Sequence, residues 1–182
     1  MSTPSRPRLT LFRAEGAPLR EDMMYFAQDQ GDALRRIQNA NEAGFGDGHA
    51  LTCLYRSPDP KGVSLCWGWF RPGYITPRHS HDADCIYYLL GGTLQVGATV
   101  LGQGDGVFVP ASATYTLTAG PEGAQLLEFR NATHFDVSLA AGGEGHWAKL
   151  LEAVQANHPR WTDGSPPPGP QVHATALPPG GH

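Results

Sequence analysis

Residues 73–92 read GYITPRHSHDADCIYYLLGG. A glycine is followed after five residues by His79-Ser80-His81, then by three residues, Cys85, six residues and Gly92. Two histidines at i and i+2 on a strand point to the same side of a sheet. Neutral imidazoles held that way grip a transition metal. Cys85 and Tyr87 share their parity if no bulge intervenes. Asp84 and Tyr88 have the opposite parity and are expected to face outward.

A second stretch follows 11 residues after Gly92. Residues 104–115 read GDGVFVPASATY, with Gly104, Pro110, Ser112 and Tyr115 as its fixed points. Together the two stretches resemble the two sequence motifs of the cupin family. Cys85 stands where the first motif usually has a glutamate. Ser112 stands where the second usually has a glycine. Tyr115 stands where the family's third ligand histidine is usual. The resemblance covers roughly residues 73–119, and the first motif is the more specific of the two.

The resemblance implies an all-β core of the cupin type, a double-sheet jelly-roll barrel with short flanking helices. It implies that His79, His81 and Cys85 point into the barrel, with Tyr115 projecting from a facing strand. Two imidazoles and a thiolate form a softer set than three histidines and a carboxylate. That set suits a divalent transition metal such as Fe, Zn, Ni or Cu. A local resemblance to thiol dioxygenases of the cysteine dioxygenase type points the same way, since a cysteine replaces the glutamate there too. Those enzymes keep three histidines, so the carry-over stops at His79, His81 and Cys85.

Several side chains carry more than one reading. Cys85 is a ligand or a small buried hydrophobe. Tyr115 ligates as phenolate, donates a proton, or packs; an unperturbed tyrosine titrates near ~10, so a phenolate needs a neighbouring cation. Tyr87, on parity, lines the pocket and joins Tyr115 and Glu128 as a candidate catalytic residue. Glu128 is an internal acid or base, or a solvated residue of the outer face. His134 replaces the missing imidazole if the chain folds back over the barrel mouth; otherwise it is a loop histidine. His146, His158, His173 and His182 are assigned no role.

The bulk composition sets the frame. A chain of 182 residues with 40% hydrophobic and only 16% charged residues predicts one domain with a real core. The 23 glycines and 16 prolines predict many turns. A net charge of -4 without a basic cluster argues against a nucleic-acid partner. No apolar run approaches membrane-spanning length, and the first residues, MSTPSRPRLTLFRAEG, lack the apolar core of a signal peptide. Cys53, Cys66 and Cys85 are an odd number, which suits a reduced, cytoplasmic chain.

Residues 1–50 read as an irregular arm with a short helix over 32–40. Residues 51–135 carry short β-prone runs between turn signals and form the expected barrel. Residues 136–162 hold a C-terminal helix, with Leu150, Leu151 and Val154 on one face. Residues 163–182, rich in Pro and Gly, are expected to be extended or disordered. In the run VSLCWGWF, Trp67 and Trp69 share one face and Cys66 and Phe70 the other. One face should be core, the other a pocket wall or a dimer sheet. Two functions follow. The first is a metal-dependent enzyme on a small molecule, an oxygenase, isomerase or lyase, often homodimeric by the resemblance. The alternative is a non-catalytic cupin that binds a small ligand or serves as sensor or scaffold.

Overall fold

The computed structural model describes residues 9–18, 23–28, 30–140 and 143–161. In chain order the elements are β1 (Met24–Phe26), α1 (Asp32–Glu42), a 3-10 turn (Phe45–Gly48), β2 (His49–Arg56) and β3 (Ser64–Phe70). They continue with β4 (His79–Ser80), β5 (Cys85–Val96), β6 (Thr99–Leu101), β7 (Gly106–Val109), β8 (Leu117–Arg130), β9 (Phe135–Leu139) and α2 (Glu144–Trp161).

Two strands organise the molecule. β5 and β8 pair antiparallel along most of their length, from Cys85↔Arg130 to Val96↔Leu117. The register shifts between Leu89 and Gly91 and again between Gly92 and Leu94. Each extra residue bends a strand and changes which side chains face inward. Accordingly Cys85, Tyr87 and Leu89 are buried before the glycines, and Leu94 after them. In β8 the buried set changes from Leu117 and Ala119 to Ala124, Leu126, Glu128 and Arg130. Glycine is required at this corner. Gly92 has φ +72°, and a Cβ there would sit 2.1 Å from the Gly123 carbonyl oxygen.

Because β5 and β8 bend, each serves two layers, as strands do when they switch sheets at bulges. Beyond the corner, β8 continues beside residues 74–79. Ala119 N–H donates to the Tyr74 carbonyl, and Thr76 N–H to that of Leu117. His79 and Tyr115 exchange both backbone hydrogen bonds. β4 then pairs with β9, and β9 pairs in parallel with β1. The opposite layer is β2-β3-β8-β5, with β7 on the far side of β5. The layers form a sandwich of jelly-roll type, and the strand path ends at β2 and β6 without closing a barrel among the described residues. Leu89, Leu94, Leu117 and Leu126 are fully buried in its interior. Each contributes about 2 kcal/mol by burial. α1 adds Ala33, Ile37 and Ala40 to this core, and α2 adds Trp147, Leu150, Val154 and Trp161.

The structure redraws the expected boundaries. The β-rich segment starts at His49 and ends at Leu139, and β1 is drawn from the segment read as an arm. Residues 136–139 are strand, so α2 starts at Glu144. The tail 163–182 lies outside the described residues. Cys66 and Phe70 face the interior, and Trp67 and Trp69 lie on the other side of β3 yet are also buried. Part of the cover is the Arg71 guanidinium, 4.2 Å above the Trp69 ring. Exposed apolar residues of the large sheet include Ile86, Tyr88, Phe108 and Phe129, with Val100 apart on β6. Among the described residues no helix is long and apolar enough to cross a membrane.

Candidate functional site

Between the layers lies a cavity of about 230 Å³. Its polar lining includes His49, His79, His81, Tyr87 and Glu128. Apolar and aromatic side chains make up most of the remaining wall, Phe70, Leu117 and Leu139 among them.

The two imidazoles are held by short-range geometry. β4 has only two residues, but its register is fixed by His79↔Leu139 and Ser80↔Ser138. His79 Nδ1 lies 2.7 Å from the Pro77 carbonyl oxygen. His81 Nδ1 lies 2.5 Å from that of Asp136. A carbonyl only accepts, so each Nδ1 carries a proton, and in a neutral ring Nε2 then holds the lone pair. The rings meet edge to face, 4.8 Å between centroids. Burial, with Arg130 and His79 adding repulsion, pushes the His81 pKa down to about 3. His81 is therefore neutral at neutral pH.

Behind the imidazoles runs a buried polar chain. Arg130 Nε donates to Glu128 Oε1 at 2.7 Å, and Arg130 Nη2 to the Tyr87 hydroxyl at 3.1 Å. The Tyr87 and Tyr115 hydroxyls are 2.8 Å apart. The Arg130 guanidinium also stacks 4.1 Å from the Phe135 ring centre. Burial opposes the Arg130 charge, but Glu128 and the neighbouring Tyr87 outweigh it and raise its pKa. Burial raises Tyr115 to about 12, and burial with Glu128 raises Tyr87 well above the ordinary tyrosine range. Both side chains are phenols at neutral pH, with protons to donate.

This donor set does not fit a tightly held divalent metal. Among the described residues, no three His, Cys, Asp or Glu side chains come together as a metal site. Cys85 is buried and faces inward, but it lies across the strand pair from Arg130 and does not line the cavity. Tyr115 keeps its proton, and Glu128 is engaged with Arg130. Of the ligands that the sequence suggested, the two imidazoles of His79 and His81 remain, and His49, though it also lines the cavity, does not join them as a third ligand.

Other sequence candidates fall as follows. Glu128 lies inside, not on the outer face. Tyr88 faces out as its parity requires. His134 does not fold back over the cavity; it is exposed, with Nε2 3.5 Å from Arg56 Nη1. Sequence reasoning missed two residues. His49 had no signal, being a lone histidine after a glycine-rich turn. Arg130 had one: an acidic residue at i−2, which places the two charges on the same face of a strand.

Ser112 gives the second motif a physical meaning. It adopts φ +66°, the left-handed region that favours glycine. Its N–H donates to the His81 carbonyl at 2.7 Å, so the strained turn helps to seat the histidine. Ser112→Gly is expected to stabilise the chain by up to about 1 kcal/mol, the strain relieved less the added freedom of the unfolded state. A urea unfolding midpoint that falls instead would count against strain at this position.

No family model and no curated protein matched the sequence. Solved structures did. The chain is similar to KdgF from Halomonas sp., at 18% identity over 48% of this chain and 80% of that one, with a TM-score of 0.43. It is similar to the polyketide cyclase RemF from Streptomyces resistomycificus, at 18% identity over 60% and 82%, TM-score 0.49. It is also similar to an RmlC-like cupin from Shewanella frigidimarina, at 24% identity over 47% and 77%, TM-score 0.42. The strand order described above, with its two layers joined by β5 and β8, is of the jelly-roll type that the cupin resemblance implies.

Proposed function

We propose that this chain is a small-molecule-binding cupin whose cavity takes a compact, mostly apolar ligand with one polar end. The observation that supports this reading is the convergence of two imidazoles, that of His81 neutral, and a protonated phenol on an otherwise largely apolar cavity of about 230 Å³. The neutral His81 Nε2 accepts a hydrogen bond and Tyr87 donates one, which suits a hydroxyl or carbonyl group on the ligand. Binding is favoured over proton-transfer catalysis by the acidities. A general base works best with a pKa near the operating pH. His81, at about 3, is a poor base at neutral pH, and the two phenols are weak acids.

One observation favours a second reading. Metal-bound histidines usually donate Nδ1–H to a carbonyl or carboxylate, as His79 and His81 do here. On that reading Fe, Zn, Ni or Cu is held by these two residues and the small molecule completes the shell. Elemental analysis separates the readings. Protein purified from metal-supplemented medium is expected to carry far less than one transition metal per chain. A thermal-shift screen of small hydroxy- and oxo-aromatic compounds is expected to yield binders that raise the Tm. His79→Ala and Tyr87→Phe should weaken them about tenfold, the loss of one buried hydrogen bond. One metal per chain, lost on His79→Ala or His81→Ala, would replace the binding reading with a metal-dependent enzyme.

We place a homodimer contact on the exposed apolar face of Ile86, Tyr88, Phe108 and Phe129. Light scattering of the wild-type chain and of Phe108→Lys tests it, with a monomeric wild type as the opposing result.

A further inference from the structure

We propose that Cys53 and Cys66 are an oxidisable pair that closes a disulfide across β2 and β3 in the folded protein. The inference rests on strand register and is independent of what the cavity binds. The two cysteines are direct cross-strand partners in the antiparallel β2–β3 pair. Both are buried in one cluster with Met23, Ala83 and Phe135. The backbone N–H of Cys53 donates to the Pro18 carbonyl, at 2.8 Å, so it points away from β3. Cys53 and Cys66 therefore form a non-hydrogen-bonded pair, the closer of the two antiparallel types. Its Cα atoms lie roughly 4.5 Å apart. Disulfides span roughly 4.4 to 6.8 Å between Cα atoms, so this pair falls at the near end of the range. A register shift follows directly, between Cys53 and Tyr55. Such a bulge bends the strand and increases its twist next to the crosslink.

The alternative pairings fail on distance. Cys66 is in β3 and Cys85 in β5, with β8 between them. Two strand spacings are roughly 10 Å, beyond the reach of a disulfide. Cys53 is one strand further away. Of the three cysteines, Cys85 is the one left out.

The chemistry needs a two-electron oxidant, and a small disulfide such as oxidised glutathione supplies it. Cys53 is on β2, which ends the strand path, and it is 8% exposed against 1% for Cys66. Its thiolate attacks the small disulfide, whose S–S bond breaks and releases one glutathione thiolate. The Cys66 thiolate then attacks the Cys53 sulfur, and the second glutathione leaves. The protein loses two electrons and two protons, and two glutathione thiols are formed. Cys66 also lies opposite Glu128 across β3 and β8. The crosslink thus ties the sheet edge to a strand that neighbours the cavity wall.

The test uses the full chain in native buffer with oxidised glutathione. The product is alkylated in denaturant without reductant, digested, and mapped by mass spectrometry. The expected result is a Cys53–Cys66 crosslinked peptide, two hydrogens lighter than the sum of its parts, with Cys85 alkylated. Reduction should remove the crosslink. Cys66→Ser should instead stop at a glutathione adduct on Cys53. Three alkylated cysteines, a crosslink that includes Cys85, a wild-type adduct on Cys53 that never resolves, or a crosslink formed only in urea would each overturn the proposal.

Discussion

Replacing Arg130 by methionine is expected to destabilise the chain by about 3–5 kcal/mol. Arg130 is 1% exposed and its partner Glu128 is 2% exposed. With the guanidinium gone, a carboxylate stays buried without its ion-pair partner, and the Tyr87 hydroxyl loses a donor. The intact pair is a different matter. Its mutual attraction offsets the desolvation of both charges and adds little beyond that. The double replacement Arg130→Met with Glu128→Leu should therefore recover most of the loss. Urea unfolding at neutral pH measures both effects, and the double-mutant cycle isolates the coupling. A single replacement costing under about 1 kcal/mol, with no recovery in the double, would show that the pair is not what holds this side of the sandwich.

Acidification should also act strongly, through His81. Its pKa is about 3 in the folded chain against 6.5 when unperturbed. Between those values the unfolded chain binds a proton that the folded chain does not. Stability is then fully present above about pH 6.5 and falls as the pH drops toward 3. The loss at pH 4 is on the order of 3 kcal/mol. His81→Gln keeps a hydrogen-bonding side chain and removes the titration. The difference in unfolding free energy between wild type and variant should therefore shrink between pH 6.5 and 4. Parallel pH profiles would mean that His81 takes up its proton without leaving the site.

The readable parts of the sequence were those with unbroken parity. His79 and His81 at one end and Cys85 and Tyr87 at the other are all buried, but β4 ends at Ser80 and β5 begins at Cys85, so a period of two holds within each pair and not across residues 81–84. Glu128 was undecidable from sequence because the buried set of β8 changes across Gly120 and Gly123. Only the pairing register shows on which side it emerges. Arg130 escaped because arginine is rarely buried unless paired, and pairing is a tertiary fact. β9 was visible in principle. Phe135-Asp136-Val137-Ser138-Leu139 alternates cleanly, but its two polar residues resemble a loop. β1 has three residues and pairs in parallel with a strand more than a hundred positions away, and no local signal reports that. Cys85 shows a limit of motif reading. Its parity was right, but parity gives the side of a sheet and not which neighbours share that side.

The place of β9 in the chain has a consequence for assembly on the ribosome. The His79-Ser80-His81 segment is synthesised early. The Asp136 carbonyl that sets the His81 ring follows 55 residues later, and the Leu139 backbone that registers His79 comes later still. Until that strand emerges, the Ser112 N–H holds the His81 backbone, but the ring lacks the carbonyl that turns it toward the cavity. A nascent chain can thus pair β2, β3, β5 and β8 and hold the His79 ring on the Pro77 carbonyl while the His81 ring remains unplaced, and the pocket completes its polar end last.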